Sequence, residues 1–315
     1  MHEGSRRAII AAFAANLGIA VAKFAAFGFT GAASMLAESV HSVADTGNQA
    51  LLFLGGARAR RAATEEHPFG YGRERYFWAF VVALVLFSLG ALFAIGEGIE
   101  KFRSPDELES PLWAIAVLGV SLALETGSFL TAQREANHVR KGESWLAFIR
   151  HTKSPELPVV LLEDLAALTG LAIASVGIGL AILTGDPRFD AAGSIAIGVL
   201  LGVVAVLLAI EMKSLLIGEA ASPADVAKIR LAMESAPHVA RIIHLRTMHL
   251  GPDDLLVASK LAFDPRLDFA SLAKAIDETE RRVRAVAPAA RLIFLEPDVD
   301  RGASDSATRP TPAAL

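Results

Sequence analysis

The chain has 315 residues, 53% of them hydrophobic and only 20% charged, with a formal net charge of −4 and a mean hydropathy of +0.45. A soluble chain averages about 25% charged residues; this balance excludes disorder, disfavours an ordinary soluble enzyme, and supplies no basic field to draw nucleic acid. Cysteine is absent, which removes disulfides, iron–sulfur clusters, thiolate zinc sites and cysteine nucleophiles, and leaves any metal to His, Asp or Glu.

In chain order, six apolar runs are long enough to cross about 30 Å of hydrocarbon, which takes about 20 helical residues. They cover 8–28, 33–55, 77–99, 112–132, 159–183 and 191–216. Backbone groups in lipid must be paired within the segment, so each run predicts a helix. The first run follows Arg6 and Arg7 and outlasts a signal-peptide core, which makes it a retained span. Basic residues then set the orientation. Arg58, Arg60, Arg61, Arg73 and Arg75 follow the second run, and Arg134, Arg140, Lys141, Arg150 and Lys153 follow the fourth. The opposite side has only Lys101, Arg103 and Arg188. Both termini are therefore expected in the cytoplasm, and the short loops suit a bacterial inner membrane.

Beyond residue 217 the pattern turns soluble. Ser222 followed by Pro223 reads as a helix N-cap with proline at the first helical position. A helix to about 236, strands over 240–249 and 255–263 around a turn at 251–254, a helix over 269–286 and a strand over 291–296 compose an α-β-β-α-β module. Residues from 300 are rich in Ser, Ala, Thr and Pro and read as disordered. The expected organisation is thus a six-helix transmembrane domain over 1–217, a cytosolic α+β domain over 218–299, and a tail over 300–315.

Chemistry concentrates in the second run. Glu38, His41 and Asp45 fall on one helical stripe, spaced about one turn apart. Ionisable groups inside a membrane helix are costly, so this stripe is expected to face a partner, water or a metal. The fifth run adds the adjacent acids Glu163 and Asp164, of which one can face the same site squarely. A histidine and carboxylates from two helices suit a borderline divalent ion, and imidazole favours Zn²⁺ over Mg²⁺ or Ca²⁺. Glu125 in the fourth run reads equally as a proton or ion group and as a buried, hydrogen-bonded acid, whereas Glu97 and Glu100 lie towards the interface.

The second-run segment 34–45 (SMLAESVHSVAD), the loop segment 67–72 (HPFGYG), Glu163-Asp164, and 215–219 (LLIGE) resemble the cation diffusion facilitator family. The resemblance covers about residues 6–298 and is greatest to its zinc transporter nine-like branch. It implies a six-helix efflux transporter exchanging Zn²⁺ for protons, with a metallochaperone-like cytosolic domain that pairs in a homodimer. It implies no resident cofactor. The family's paired ligand motif maps onto His41, Asp45 and Asp164, while its other span-five position holds Val160. The fourth position is left to water, Glu38, Glu163 or nothing, and Mn²⁺, Fe²⁺, Co²⁺ and Cd²⁺ stay open as cargo. The resemblance also points to His67 in the loop and to His244 and Glu296 in the soluble domain as metal candidates, with Lys260 at another of the ligand positions and His238 and His249 placed to compensate. Arg73 and Glu219 correspond to a charge interlock. A membrane-anchored metal sensor or scaffold is the alternative function.

Overall fold

The computed structural model describes residues 3–105, 111–140 and 142–299; the expected disordered tail, 300–315, lies outside them. The chain divides into two compact units, Met1–Ile217 and Gly218–Leu315.

The first unit is helical. Its long rods are α1 (Glu3–Thr30), α2 (Ala33–Arg58), a third rod made of α3 (Glu74–Val81), a π-helical turn (Val82–Phe87) and α4 (Ser88–Arg103), then α5 (Pro111–Arg140), α7 (Glu156–Thr184) and α8 (Arg188–Ile217). A short helix, α6 (Trp145–His151), sits in the connection before α7, capped by Ser144, whose hydroxyl accepts from the Ala147 N–H. Seven residues are too few to show a hydropathy period.

Four of the rods are long and apolar enough to cross a membrane: Glu74–Arg103, Ile115–Asn137, Glu156–Thr184 and Arg188–Ile217. Among the described residues α1 contributes the apolar stretch Asn16–Thr30. In α2 the polar residues Glu38, His41, Asp45, Asn48 and Gln49 break the apolar run. Six spans were expected; among the described residues apolar length supports four of them. The helical unit is a membrane-type domain.

Glycines decide how closely the third and last rods approach. A Cβ on Gly98 would lie 2.6 Å from the Ile195 side chain and 2.8 Å from the Ala191 carbonyl oxygen. Reciprocally, a Cβ on Gly198 would lie 2.6 Å from Ile95 and 2.8 Å from the Ala91 carbonyl. Two helix surfaces that meet backbone to side chain in both directions leave no room for a methyl group, the small-residue packing used where lipid supplies no hydrophobic drive. Behind this seam Tyr76, Leu171, Ile178, Ile197, Leu201 and Leu208 form a fully buried apolar core.

The second unit runs α9 (Pro223–Glu234), β1 (Val239–Gly251), β2 (Asp254–Phe263), α10 (Phe269–Val286) and β3 (Leu292–Asp298). Strand order is β1-β2-β3, with β1 antiparallel to β2 and β2 parallel to β3. A parallel neighbour requires a crossover, and α10 provides it. Its amphipathic face buries Ala275, Thr279 and Val283 against Val257, Leu261 and Ile293. Both helices start at side-chain caps: Ser222 accepts from the Asp225 N–H, and Asp268 from the Ser271 N–H.

Candidate functional site

The helical spacing that put Glu38, His41 and Asp45 on one stripe of α2 is reproduced in three dimensions. All three side chains are buried, and His41 Nδ1 lies 3.5 Å from Asp45 Oδ1. From α7, Glu163 and Asp164 are both buried as well, and Asp164 Oδ2 accepts a hydrogen bond of 3.2 Å from Ser128 of α5. Glu125, on the same α5, is only 5% exposed. Counting from the start of α5, it stands about 21 Å along the helix, deep between the ends of the rod. Asp45 lies within electrostatic reach of Glu38, Glu125 and Asp164.

One residue of this cluster was missed in the sequence. Lys23 of α1 is fully buried, its ammonium 3.1 Å from Glu38 Oε2, 2.8 Å from Ser42 Oγ and 3.9 Å from Glu125 Oε1. The same cost argument that singled out Glu38 applied to a lone lysine in an apolar run, and that was the available signal. Asn48 and Ser128 were missed for a better reason: uncharged polar residues are common in membrane helices, and only packing reveals what they face.

Buried polar atoms are normally paired, so exceptions mark places where something else can bind. Among the described residues, Glu38 Oε1, Asp45 Oδ1, both amide atoms of Asn48 and both carboxylate oxygens of Glu163 have no hydrogen-bond partner. Asn48 and Glu163 nevertheless lie close together. Gly170 of α7 explains how Glu38 fits: a Cβ there would collide with Glu38 Oε1. Among the described residues, no three His, Asp or Glu side chains stand close enough to hold a metal ion as they are. The structure therefore brings His41 and Asp45 together as a pair. It gathers Asp164, Glu163 and Glu125 around that pair at longer range.

The remaining candidates lie elsewhere. His67 is exposed in the loop between α2 and α3, its ring 4.6 Å from that of Tyr71, and its N–H donates to Thr64. In the second unit, Glu296 of β3 accepts from Lys260 Nζ at 2.6 Å, and Asp298 lies 3.1 Å from the same ammonium. The sheet register puts Lys260 opposite both His244 and Glu296, so a fixed cation stands between these two metal candidates. His249 is buried further along β1, its Nδ1 3.3 Å from the Gly251 carbonyl. Arg73 and Glu219 belong to different units: Arg73 precedes α3, and the Glu219 carbonyl accepts from the His249 N–H.

A buried, multi-helix cluster of acids with one histidine in a membrane-type unit is the architecture of an ion pathway. Residues 9–217 match the cation efflux transmembrane domain, and the chain belongs to that family, whose members are transporters rather than enzymes. Among relatives, it is 34% identical over 247 residues to the proton-coupled zinc antiporter SLC30A9, mitochondrial, of Mus musculus, covering 78% of this chain and 44% of that protein. It is 31% identical over 265 residues to metal tolerance protein C4 of Arabidopsis thaliana, covering 84% and 58%. It is 28% identical over 250 residues to the cation-efflux pump FieF of Cronobacter sakazakii, covering 79% and 77%. The chain thus spans less than half the length of the SLC30A9 antiporters. The bacterial inner membrane expected from loop length gains no support from these relatives, the first of which is named as mitochondrial.

Proposed function

We propose that this chain moves Zn²⁺ out of the cytoplasm in exchange for protons, with His41, Asp45 and Asp164 as ligands of the transported ion. The observation that carries the reading is the convergence of buried ionisable side chains from α1, α2, α5 and α7, several with oxygens that lack a hydrogen-bond partner among the described residues. Such groups are retained in a membrane domain only for a use, and a mere anchor has none. A divalent ion supplies the missing partner.

The proton coupling follows from donor chemistry. Imidazole nitrogen and carboxylate oxygen bind metal only when unprotonated, so ion and protons compete for the same atoms and loading one expels the other. His41 and Asp45 on α2 form the half-site present in this conformation. A rocking of α7 that carries Asp164 towards α2 completes it, and the reverse movement with protonation releases the ion. Both termini are placed in the cytoplasm by the basic residues on that side, and the soluble unit serves pairing of two copies. The 34% identity to a proton-coupled zinc antiporter supports Zn²⁺ and H⁺ as the exchanged ions.

The test is Zn²⁺ uptake into proteoliposomes under an imposed pH gradient. Asp45→Ala and Asp164→Ala are each expected to reduce uptake at least a hundredfold with protein level unchanged. Full transport by either variant removes the ligand assignment.

A further inference from the structure

The buried ammonium of Lys23 is unaccounted for by ion binding. A cation inside a cluster of acids that attracts a cation works against the cargo, yet α1 places it there with contacts on two other helices. Its Nζ meets Glu38 Oε2 at 3.1 Å, Ser42 Oγ at 2.8 Å and Glu125 Oε1 at 3.9 Å, with no exposed side-chain surface. Glu38 and Ser42 are one turn apart on α2, so both line the same face and both are directed to this ammonium. A buried charge needs such pairing, and removing one partner leaves the other uncompensated.

We propose that Lys23 is a resident counter-cation that withholds Glu38 and Glu125 from the transported ion, so that the divalent ion is bound loosely enough to leave. Five carboxyl groups and one histidine converge on this region: Glu38, Asp45, Glu125, Glu163, Asp164 and His41. Left to themselves, so many oxygens would hold a divalent ion too tightly for turnover, since conduction needs binding strong enough to load and weak enough to release. Two of the five, Glu38 and Glu125, are engaged by Lys23, which leaves Asp45, Glu163 and Asp164. Gly170 supports the arrangement from the far side, because a larger residue there would displace Glu38 from its place against the ammonium. Lys23 acts through these carboxylates and touches no cargo, so its role is positioning and charge setting.

The inference rests on the transport reading, and the experiment separates the two. Zn²⁺ uptake by the full chain in proteoliposomes is measured over a concentration series for wild type, Lys23→Met, Lys23→Arg and Lys23→Met/Glu38→Gln. Lys23→Met is expected to lower the KM for Zn²⁺ at least tenfold and to lower kcat with it, the signature of an ion held too tightly. Lys23→Arg, which keeps the charge, rescues both values to within threefold of wild type. The double variant, which removes the freed carboxylate as well, restores KM towards wild type. A KM that is unchanged or raised in Lys23→Met overturns the proposal. If Lys23→Met does not accumulate as folded protein, the double variant decides alone: a tenfold rise in its KM makes Glu38 a ligand and overturns the withholding role. Wild-type vesicles that take up no Zn²⁺ remove the transport reading and this inference with it, whereas wild-type uptake with an unmoved Lys23→Met removes the inference alone.

Discussion

At the scale of single residues, the two units place their charges under opposite conditions. In the second unit, Arg266 binds Asp264 through two side-chain hydrogen bonds, 3.0 and 2.7 Å, and also donates its backbone N–H. These bonds, the side-chain pair foremost, pull the Asp264 carboxyl down to about 2. A carboxyl depressed by folding contributes stability that is complete above its unfolded value, about 3.9, and is lost as pH falls towards the folded one. A carbon-13 carboxyl titration is expected to find Asp264 near 2 in the intact protein, and Arg266→Ala to raise that midpoint towards about 3.9. The pair is solvent-exposed, so salt weakens the effect.

The same scale shows what could be read in advance. His41 and Asp45 were legible because a period of 3.6 puts positions four apart on one face, and the helix carries that through to a 3.5 Å approach. Lys23 went unread because a single lysine leaves an otherwise apolar run looking like a span. Its partners come from α2 and α5, 15 and 102 positions away along the chain. Asn48 beside Glu163 is of the same kind: neither residue forecasts the other, and only the packing of α2 against α7 makes them neighbours.

At the scale of elements, propensity and patterning predicted type better than extent. Some helical rods run several residues past their apolar cores, because the hydrogen-bond ladder continues into polar sequence, as in α5, which reaches Arg140. In the second unit, β1 and β2 pair from Val239 to Phe263 almost to the tip, longer than alternation alone indicated. The π-helical turn at Val82–Phe87 had no sequence signature at all. The crossing of α4 and α8 makes an element-level prediction. Gly198→Val would insert atoms where Ile95 and the Ala91 carbonyl already stand within 2.8 Å of the added Cβ. Overpacking of this sort costs about 1–3 kcal/mol, so thermal unfolding of the purified variant in detergent is expected to begin at lower temperature. Gly96, around which there is open space, is the matched control, and Gly96→Ala should leave the midpoint in place.

At the scale of the whole molecule, each unit has its own apolar core: one built on Tyr76, Leu171, Ile197 and Leu208, the other on Ile229, Met233, Val257 and Leu261. Separate cores predict separate cooperative transitions, since two-state behaviour belongs to a single core rather than to a chain. Calorimetry of the detergent-solubilised protein is expected to resolve two unfolding events, and a substitution such as Val257→Ala to move only one of them. The division was legible in hydropathy alone, which changes character near residue 217. The pairing of Lys260 with Glu296 and Asp298 was not, because it depends on parallel register between strands joined through α10.

The reciprocal glycine crossing between the third and last rods carries one more consequence. None of the groups that crowd the polar cluster is borne by α4 or α8; Lys23, Glu38, His41, Asp45, Glu125, Glu163 and Asp164 all ride on α1, α2, α5 and α7. α4 and α8 meet at two backbone-to-side-chain notches, and on the transport reading proposed above the helices that carry the acids move against this crossing. Such a movement, on that reading, changes which way the acids face while the crossing itself stays in place.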